Sequence, residues 1–256
     1  MVRRQESFPA VTIDDYCMMK HAHALITGAT KGIGRAISRH FAEAGCSVTA
    51  VARSESDLRH WQEQWQQSFP HQTFSYFICD LSDPVSRADL LRQISEAEVS
   101  YSVLVNNAAA YLRGPLLEEP AGQFAEMWQI NVQAPYELIR ALVPKMVEQG
   151  RGHVFNICSV ASRHPQPGSA AYSATKAALL NLTHSLRAEL LDHNVSVTAV
   201  LPGQTWSASW EGVTLPHNRL MQSDDIGAAV ANAWQLGPSA VVEEIVLRPQ
   251  RGDWAP

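Results

Sequence analysis

Tyr172 and Lys176 are the two side chains whose types and spacing are best suited to chemistry. They stand four residues apart in a run, Ser169–Asn194, whose pattern predicts a helix, so both should occupy one helix face. A tyrosine normally titrates near ~10 and is a poor proton donor or acceptor at neutral pH. A nearby fixed cation favours the phenolate and lowers that pKa. The pair could therefore be a tuned acid–base group, although ordinary surface helices carry the same spacing.

Gly28, Gly32 and Gly34 stand between the first predicted strand and the first predicted helix. Glycine there permits positive φ and a close approach to the backbone, and a helix N-terminus attracts phosphate groups. The spacing is G-x-x-x-G-x-G, which differs from the G-x-G-x-x-G of the usual dinucleotide fingerprint. A phosphate-binding loop and an ordinary glycine turn are both compatible with the pattern alone.

Strand-like and helix-like segments alternate along the chain, and they must position these residues. The predicted strands are Ala22–Thr27, Ser47–Ala52, Thr73–Cys79, Ser102–Val105, His153–Cys158, Val195–Leu201 and Glu244–Arg248. The predicted helices are Gly34–Ala44, Ser54–Gln67, Asp83–Ala97, Gly122–Gln149, Ser169–Asn194 and Ser223–Leu236. Pro135 and Pro144 should interrupt the fourth helix. Short apolar strands that alternate with helices predict an α/β fold, a doubly wound parallel sheet of about seven strands with helices on both faces.

Composition limits the classes of protein to which the chain can belong. Its 256 residues are 46 % hydrophobic and carry a formal net charge of −5, which argues against a nucleic-acid-binding surface. The sequence contains no apolar run of the ~20 residues that a membrane span needs. Four scattered cysteines have no metal-type or redox-type spacing, so we expect reduced, buried thiols, no metal site and a cytoplasmic location.

Residues 1–20 differ from the rest of the chain. They have no apolar core segment or small-residue cleavage site of a secretory signal. We expect a loose N-terminal extension before a single domain over residues 21–256. Translation from Met18 or Met19 would be an alternative start.

Six short motifs occur in one order along the chain. They are TGATKGIG (Thr27–Gly34), NNAA (Asn106–Ala109), Asn131, Ser159, YSATK (Tyr172–Lys176) and Pro202–Gly203. In order and spacing they resemble the short-chain dehydrogenase/reductase family, most closely its single-domain, 3-oxoacyl-carrier-protein-reductase-like branch. The resemblance covers about residues 22 to 250. It implies a Rossmann-type domain and a nicotinamide-dependent oxidoreductase.

The resemblance implies a role for each of four polar residues. Tyr172 would protonate the carbonyl oxygen during reduction, and Lys176 would hold the nicotinamide ribose and lower the pKa of Tyr172. Ser159 would hydrogen-bond the substrate oxygen, although it could merely cap the loop after its strand. Asn131 would lie at a helix kink and anchor a water molecule, although it could be an ordinary helix residue. Cys158 should face the other side of its strand and belong to the core.

The resemblance also implies a cofactor site. Its residues would be Gly28, Thr30, Lys31, Gly32, Ile33, Gly34, Arg53, Asp80, Leu81, Asn107, Tyr172, Lys176, Pro202, Gly203 and Thr205. Where an NAD-preferring site offers a carboxylate to the ribose 2′-hydroxyl, this chain has Ala52 followed by Arg53. Arg53 and Lys31 would attract a 2′-phosphate, so NADP(H) is the expected cofactor. Ala109 replaces the family's glycine and adds a methyl group near the cofactor.

A substrate-side segment follows Gly203. It carries Trp206, Trp210 and Leu215, and neighbouring loops add Tyr111, Leu112, Arg113 and His164. These side chains could bind an apolar or flat carbonyl substrate, or they could simply pack the segment down. The expected function is an NADP(H)-dependent carbonyl reductase or alcohol dehydrogenase that forms a homodimer or homotetramer. A cofactor-binding sensor or scaffold without turnover is the alternative.

Overall fold

The computed structural model describes residues 22–165, 167–207, 210, 212 and 214–254. The strands are β1 (His23–Thr27), β2 (Ser47–Ala52), β3 (Phe74–Ile78), β4 (Val103–Asn106), β5 (Gly152–Ile157), β6 (Val195–Pro202) and β7 (Glu244–Leu247). The helices are α1 (Gly32–Glu43), α2 (Glu55–Ser68), α3 (Pro84–Glu96), α4 (Gln123–Trp128), α5 (Ala134–Glu148), α6 (Ala170–Glu189) and α7 (Ser223–Trp234). The predicted extension, residues 1–20, lies outside the described residues.

The seven strands form one parallel sheet in the order β3-β2-β1-β4-β5-β6-β7. The predicted doubly wound α/β sheet is therefore confirmed. The chain moves outwards in one direction from β1 to β3 and in the other from β4 to β7. Such a reversal opens a crevice at the carboxyl ends of the two central strands, which is where open α/β sheets bind ligands.

Helices cover both faces of the sheet, as predicted. One face packs on α1, α2 and α7 through buried side chains such as Phe41, Trp65 and Val230. The other packs on α3, α5 and α6 through side chains such as Leu90 and Leu142. The strands are short apolar runs because both of their faces are buried. Within the described ranges, no helix combines the length and apolar character needed to cross a membrane.

The helical region before β5 differs from its prediction. α4 runs directly into a π turn, Gln129–Gln133, and α5 begins after it. Pro135 stands in the first turn of α5, where a missing N–H costs little, so the irregularity lies before this proline. Pro144 lies inside α5 without ending it, so of the kink or break predicted there the break is wrong. The carbonyl that Pro144 leaves without a helical partner belongs to exposed Arg140 and can face water.

Candidate active site

Tyr172 and Lys176 lie in the first two turns of α6, on the face that meets β5. The side chain of Lys176 is 2 % exposed, and its Nζ donates a hydrogen bond to the main-chain oxygen of Ile157 at 2.7 Å. The same Nζ lies 5.9 Å from the centroid of the Tyr172 ring. The two residues therefore share a helix face, and the lysine is buried beneath the tyrosine.

Ser159 follows β5 and faces the same tyrosine. Its Oγ accepts a hydrogen bond from the main-chain nitrogen of Ala161 at 3.1 Å, and its own main-chain nitrogen donates to Oγ of Ser162 at 3.2 Å. These bonds form a reciprocal cap on a short 3₁₀ turn. The Ser159 hydroxyl lies near Tyr172 and lowers its pKa. The serine that caps the turn therefore also influences Tyr172.

Burial governs the titration of the pair. It raises the pKa of Tyr172 to about 12, against the opposing effect of the nearby Ser159 hydroxyl. It lowers the pKa of Lys176 to about 8. With protein groups alone, the pKa of Tyr172 therefore moves in the opposite direction to the sequence expectation. The reason is that desolvation of a phenolate outweighs a lysine whose ammonium group is turned to Ile157.

Asn131 occupies the middle of the π turn and is fully buried. Its Oδ1 accepts from the main-chain nitrogen of Ala110 at 2.8 Å, and its Nδ2 donates to the oxygen of Ala110 at 3.0 Å. Nδ2 also donates to Oγ1 of Thr175 at 2.9 Å, one residue before Lys176. The expected helix irregularity at Asn131 is present, and the asparagine joins the loop after β4 to α6.

The glycine loop between β1 and α1 has the shape of a phosphate cradle. Gly28 has φ +66° and Gly32 has φ +53°, both in the left-handed region that favours glycine. A Cβ on Gly34 would lie 2.3 Å from the carbonyl oxygen of Gly28, so this position has no room for a side chain. Lys31, the N-cap of α1, makes no side-chain cap, unlike the N-caps of α2 and α3. These features fit a pyrophosphate on the first-turn amides of α1.

The remaining glycine-loop residues and Asn107 close the cradle. Thr30 and Ile33 flank Lys31 and Gly32 and are partly buried. Nδ2 of Asn107 donates to the main-chain oxygens of Thr27 and Gly28, at 2.9 and 3.2 Å. The main-chain nitrogen of Asn107 donates to Oγ1 of Thr27 at 3.0 Å. Asn107 thereby ties the end of β4 to the end of β1.

Ala109, the departure from the family's glycine, is exposed. The added methyl group therefore does not have to be fitted into the core. Asn107, two residues earlier, makes its hydrogen bonds to Thr27 and Gly28.

Three charged groups lie near the ends of β1 and β2. Lys31, whose side chain is 74 % exposed, forms an ion pair with Asp57, with Nζ 2.8 Å from Oδ2. Arg53 follows β2 and is exposed. The two cations expected from the sequence are present, but Asp57 was not anticipated. Its partner is 26 residues away on another element, so no local pattern indicates the contact.

The turn after β3 holds Asp80 and Leu81. Oδ1 of Asp80 accepts from the main-chain nitrogen of Ser82 at 2.9 Å and from its hydroxyl at 2.7 Å. These hydrogen bonds, the main-chain one first, hold the pKa of Asp80 below its usual value. Leu81 is buried, and its carbonyl accepts from Nη1 of Arg87 at 2.8 Å. The turn is thus fixed from within and from α3.

Pro202, Gly203 and Thr205 lie at the carboxyl end of β6. Pro202 is the last residue of the strand, and the main-chain nitrogen of Gly203 donates to the oxygen of Leu247 at 2.8 Å. Oγ1 of the buried Thr205 donates to the oxygen of Gly203 at 3.0 Å. These contacts fix the backbone where the substrate-side segment begins.

Three tryptophans hold the substrate-side segment in place. The ring of Trp210 lies 6.5 Å from that of Trp206 and 5.9 Å from that of Trp254, centroid to centroid. Gln204 accepts from the main-chain nitrogen of Trp254 at 2.6 Å and donates to its oxygen at 2.8 Å. Trp254, remote in sequence, was not anticipated. Packing of the segment is therefore part of what these aromatic residues do, and Leu215 is partly buried beside it.

Tyr111 covers the ring of Tyr172. The two rings meet edge to face, with centroids 4.8 Å apart and planes at 85°. Leu112, Arg113 and His164, expected near the substrate, are exposed. The Tyr111 contact shows that the loop after β4 reaches the proposed acid–base residue.

The chain resembles many known proteins. A family model described as short chain dehydrogenase matches residues 22–215. The chain belongs to the short-chain dehydrogenase family. An uncharacterised oxidoreductase of Staphylococcus epidermidis is 28 % identical over 231 residues, which cover 90 % of this chain and 98 % of that protein.

Two solved structures of the family contain related cofactors. An alcohol dehydrogenase from the archaeon Thermococcus sibiricus, complexed with 5-hydroxy-NADP, is 25 % identical with a TM-score of 0.82, covering 92 % of this chain and 100 % of that one. A metagenomic short-chain oxidoreductase in complex with NADP is 32 % identical with a TM-score of 0.77, covering 90 % and 97 %. This chain is accordingly an oxidoreductase of the short-chain dehydrogenase family. The 3-oxoacyl-carrier-protein-reductase-like branch stays a prediction.

Proposed function

We propose that this short-chain dehydrogenase interconverts a ketone or aldehyde and an alcohol with NADP(H), with Tyr172 as acid and base. The buried ammonium group of Lys176, 5.9 Å from the ring of Tyr172 and on the same helix face, is the observation that supports this most, and the Ser159 hydroxyl lies nearby. A structural tyrosine on a surface helix has no need of a buried lysine and serine. The three groups also lie at the carboxyl edge of the sheet, the edge at which the glycine cradle follows β1.

The proposed mechanism divides the chemistry between cofactor and protein. When bound, the nicotinamide dinucleotide supplies or accepts the hydride, and its oxidised ring carries a positive charge. In reduction, Tyr172 donates its phenolic proton to the carbonyl oxygen, and Ser159 donates a hydrogen bond to the same oxygen. In oxidation, the phenolate of Tyr172 takes the proton of the alcohol. Lys176 would hold the nicotinamide ribose, and Asn131 would anchor the water that connects Lys176 to solvent.

The pKa of Tyr172 sets the size of the electrostatic task. Lowering it from about 12 to ~7 requires about 7 kcal/mol of differential stabilisation of the phenolate. Lys176, with a pKa of about 8, is mostly protonated at pH 7 and can contribute once its ammonium group turns from Ile157. The stabilisation that its single charge gives to the phenolate is smaller than the amount required, so the cationic nicotinamide has to contribute as well.

NADP(H) is the cofactor that we propose. Lys31 and Arg53 supply positive charge near the end of β2, and a 2′-phosphate is strongly attracted to such a pair. Replacing both residues with alanine should raise the dissociation constant of NADPH much more than that of NADH. Equal losses for the two cofactors would contradict the assignment. The matched control is Arg92→Ala, which removes an exposed arginine from α3.

We infer an apolar or flat carbonyl as the substrate class. Tyr111 lies over Tyr172, and Trp206 and Trp210 stand in the segment after Gly203. Aromatic faces bind apolar groups through burial and add specific ring contacts. A panel that ranges from small polar ketones to aromatic ketones should show the highest kcat/KM at its aromatic end.

We also propose a homodimer or homotetramer in the cytoplasm. A groove between α5 and α6 is lined by apolar side chains, among them Trp128, Val132, Tyr136 and Leu182. Three buried, unpaired cysteines in the described ranges agree with a reducing compartment. Light scattering after gel filtration would test the assembly, and a monomer at micromolar concentration would contradict it.

Turnover tests the proposed activity directly. NADPH consumption should be measured over a panel of carbonyl compounds, with Tyr172→Phe as the key variant. Removing the acid should lower kcat about 10²- to 10⁴-fold while NADPH still binds. Tyr76→Phe, a tyrosine on β3 away from the site, is the matched control. If the chain binds NADPH but reduces none of the compounds, a sensor or scaffold becomes the better interpretation.

A further inference from the structure

Arg87 on α3 is a buried cation that the proposed mechanism does not use. Only 4 % of the residue is exposed. Burying a charge is costly unless a counter-ion and hydrogen bonds replace water. Glu137 on α5 is the counter-ion, with its Oε2 2.9 Å from Nε of Arg87. The burial of Arg87 beside this counter-ion indicates that it positions the groups with which it is in contact.

The guanidinium of Arg87 reaches three elements at once. Besides Glu137, its Nη1 donates to the main-chain oxygen of Leu81 at 2.8 Å, and its Nη2 donates to Oε1 of Gln129 at 2.7 Å. The planar fork of an arginine can serve three acceptors in different directions, whereas a lysine is a point charge. One side chain therefore joins the turn after β3, the π turn and α5.

The same network holds both ends of the π turn. Gln129 is its first residue and meets Arg87, while Gln133 is its last and donates to Oε1 of Glu137 at 2.8 Å. A π turn interrupts the regular helical ladder, so its position depends on such outside contacts. Asn131, whose side chain holds the loop after β4, lies between the two glutamines.

We propose that Arg87 is a positioning residue that couples the turn at Asp80 and Leu81 to the π turn that carries Asn131. Binding of the adenine half of NADP(H) at the first turn then orders the second. This inference rests on the proposed function, because that function assigns the adenine to Asp80 and Leu81. Arg87 acts through Leu81 and Gln129 and is distinct from the residues that would touch the reacting atoms.

Substitutions at Gln129 distinguish a loss of coupling between the two turns from a loss of folding stability. Gln129→Leu removes the acceptor for Nη2 and leaves Leu81 and Glu137 in contact with Arg87. Gln129→Glu keeps an oxygen there and should rescue the wild-type behaviour. Arg87→Met removes all three contacts, and Arg92→Met is the matched control, since Arg92 pairs with exposed Asp89 and Glu96 on the same helix.

Hydrogen–deuterium exchange of residues 129–133, with and without NADPH, is the first measurement. NADPH should slow exchange in the wild type, Gln129→Glu and Arg92→Met. The protection should fall about five- to tenfold in Gln129→Leu, the range expected when a network contact is removed. Because the coupling acts in both directions, the dissociation constant of NADPH should rise by a comparable factor in this variant, and kcat should fall. In Arg87→Met the dissociation constant of NADPH should rise and kcat should fall.

The outcomes distinguish the two proposals. Equal protection and equal kcat in wild type and Gln129→Leu, with only a lower melting temperature, would overturn the coupling and leave the oxidoreductase activity standing. Protection that depends on Gln129 in a chain that reduces none of the carbonyls would support the coupling and contradict the proposed activity. A wild type that does not bind NADPH would overturn both.

Discussion

The ammonium group of Lys176 is held by the main-chain oxygen of Ile157, at 2.7 Å, while the ring of Tyr172 lies 5.9 Å away. The lysine is thus anchored to the end of β5 by a contact within the protein. Its influence on Tyr172 is therefore electrostatic, because no hydrogen bond joins its ammonium group to the phenol in the part of the chain that the structure describes.

Replacing Lys176 with methionine tests this electrostatic role. The change keeps most of the buried stem and removes the cation, which should raise the pKa of Tyr172 in the cofactor complex. Alcohol oxidation needs the phenolate, so its rate at pH 7 should fall about 10²-fold or more and recover partly as the pH rises. A pH–rate profile of kcat would show the upward shift. A profile with an unchanged midpoint would contradict the role given to Lys176.

Asp57 should weaken NADPH binding, because it pairs with Lys31 and would repel a phosphate. One exposed charge acts weakly through water, so Asp57→Asn should lower the dissociation constant of NADPH by a small factor, about threefold. NADH binding should not change. The difference should shrink at high ionic strength. Glu55→Gln, in the same turn of α2, is the control, since Glu55 pairs with Arg59.

Gly34→Ala should have two opposing effects on stability, a gain in helix propensity and a steric clash. Alanine favours a helix interior over glycine by about 1 kcal/mol. The new Cβ, however, would lie 2.3 Å from the oxygen of Gly28 and 2.5 Å from Nδ2 of Asn107. Overpacking of this kind costs about 1–3 kcal/mol, so we expect a net loss of stability and NADPH binding at least tenfold weaker. Urea denaturation and a binding titration would measure these effects. Gly237→Ala is the control because, apart from its two chain neighbours, no atom of the described residues lies within 4 Å of its Cβ position.

His153 should make the fold sensitive to acid. It is buried, stacks on Phe155 with centroids 3.9 Å apart and shares a hydrogen bond of 2.8 Å with Thr198. Burial lowers its pKa to about 3, from 6.5 in an exposed histidine. Between these values the unfolded chain binds more protons, so stability is fully present above pH 6.5 and is lost as the pH falls towards 3.

The expected loss at His153 between pH 7 and pH 5 is about 2 kcal/mol. Urea denaturation at the two pH values would measure it. In His153→Gln the drop should be smaller by this amount, whatever the stability at pH 7. His71→Gln, at an exposed position, should behave like the wild type. An equal drop in all three proteins would show that other groups govern the acid transition.

The features of the fold and site that depend on local periodicity could be predicted from the sequence. Alternating apolar strands and helices determine the parallel sheet, and its carboxyl edge follows from the topology. The shared face of Tyr172 and Lys176 follows from their spacing, and the position of Ser159 follows from the end of β5. The positive φ values of Gly28 and Gly32 agree with the glycine pattern.

Contacts between distant segments were beyond the reach of such patterns. The pairing of Lys31 with Asp57 joins the glycine loop to the first turn of α2. The hydrogen bonds of a π turn span one more residue than those of an α-helix, and no residue type in the sequence predicts this change. The direction of the pKa shift at Tyr172 depends on burial, which only the assembled fold determines.

Three of the seven tryptophans of this chain, Trp206, Trp210 and Trp254, meet where the substrate-side segment contacts the last described residues. Indole emission depends on how closely other rings and water approach. The segment therefore contains its own optical reporter, and an opening or closing of this region would change the fluorescence without an added dye. Stopped-flow traces of a variant that keeps only these three indoles would record when the segment moves relative to hydride transfer.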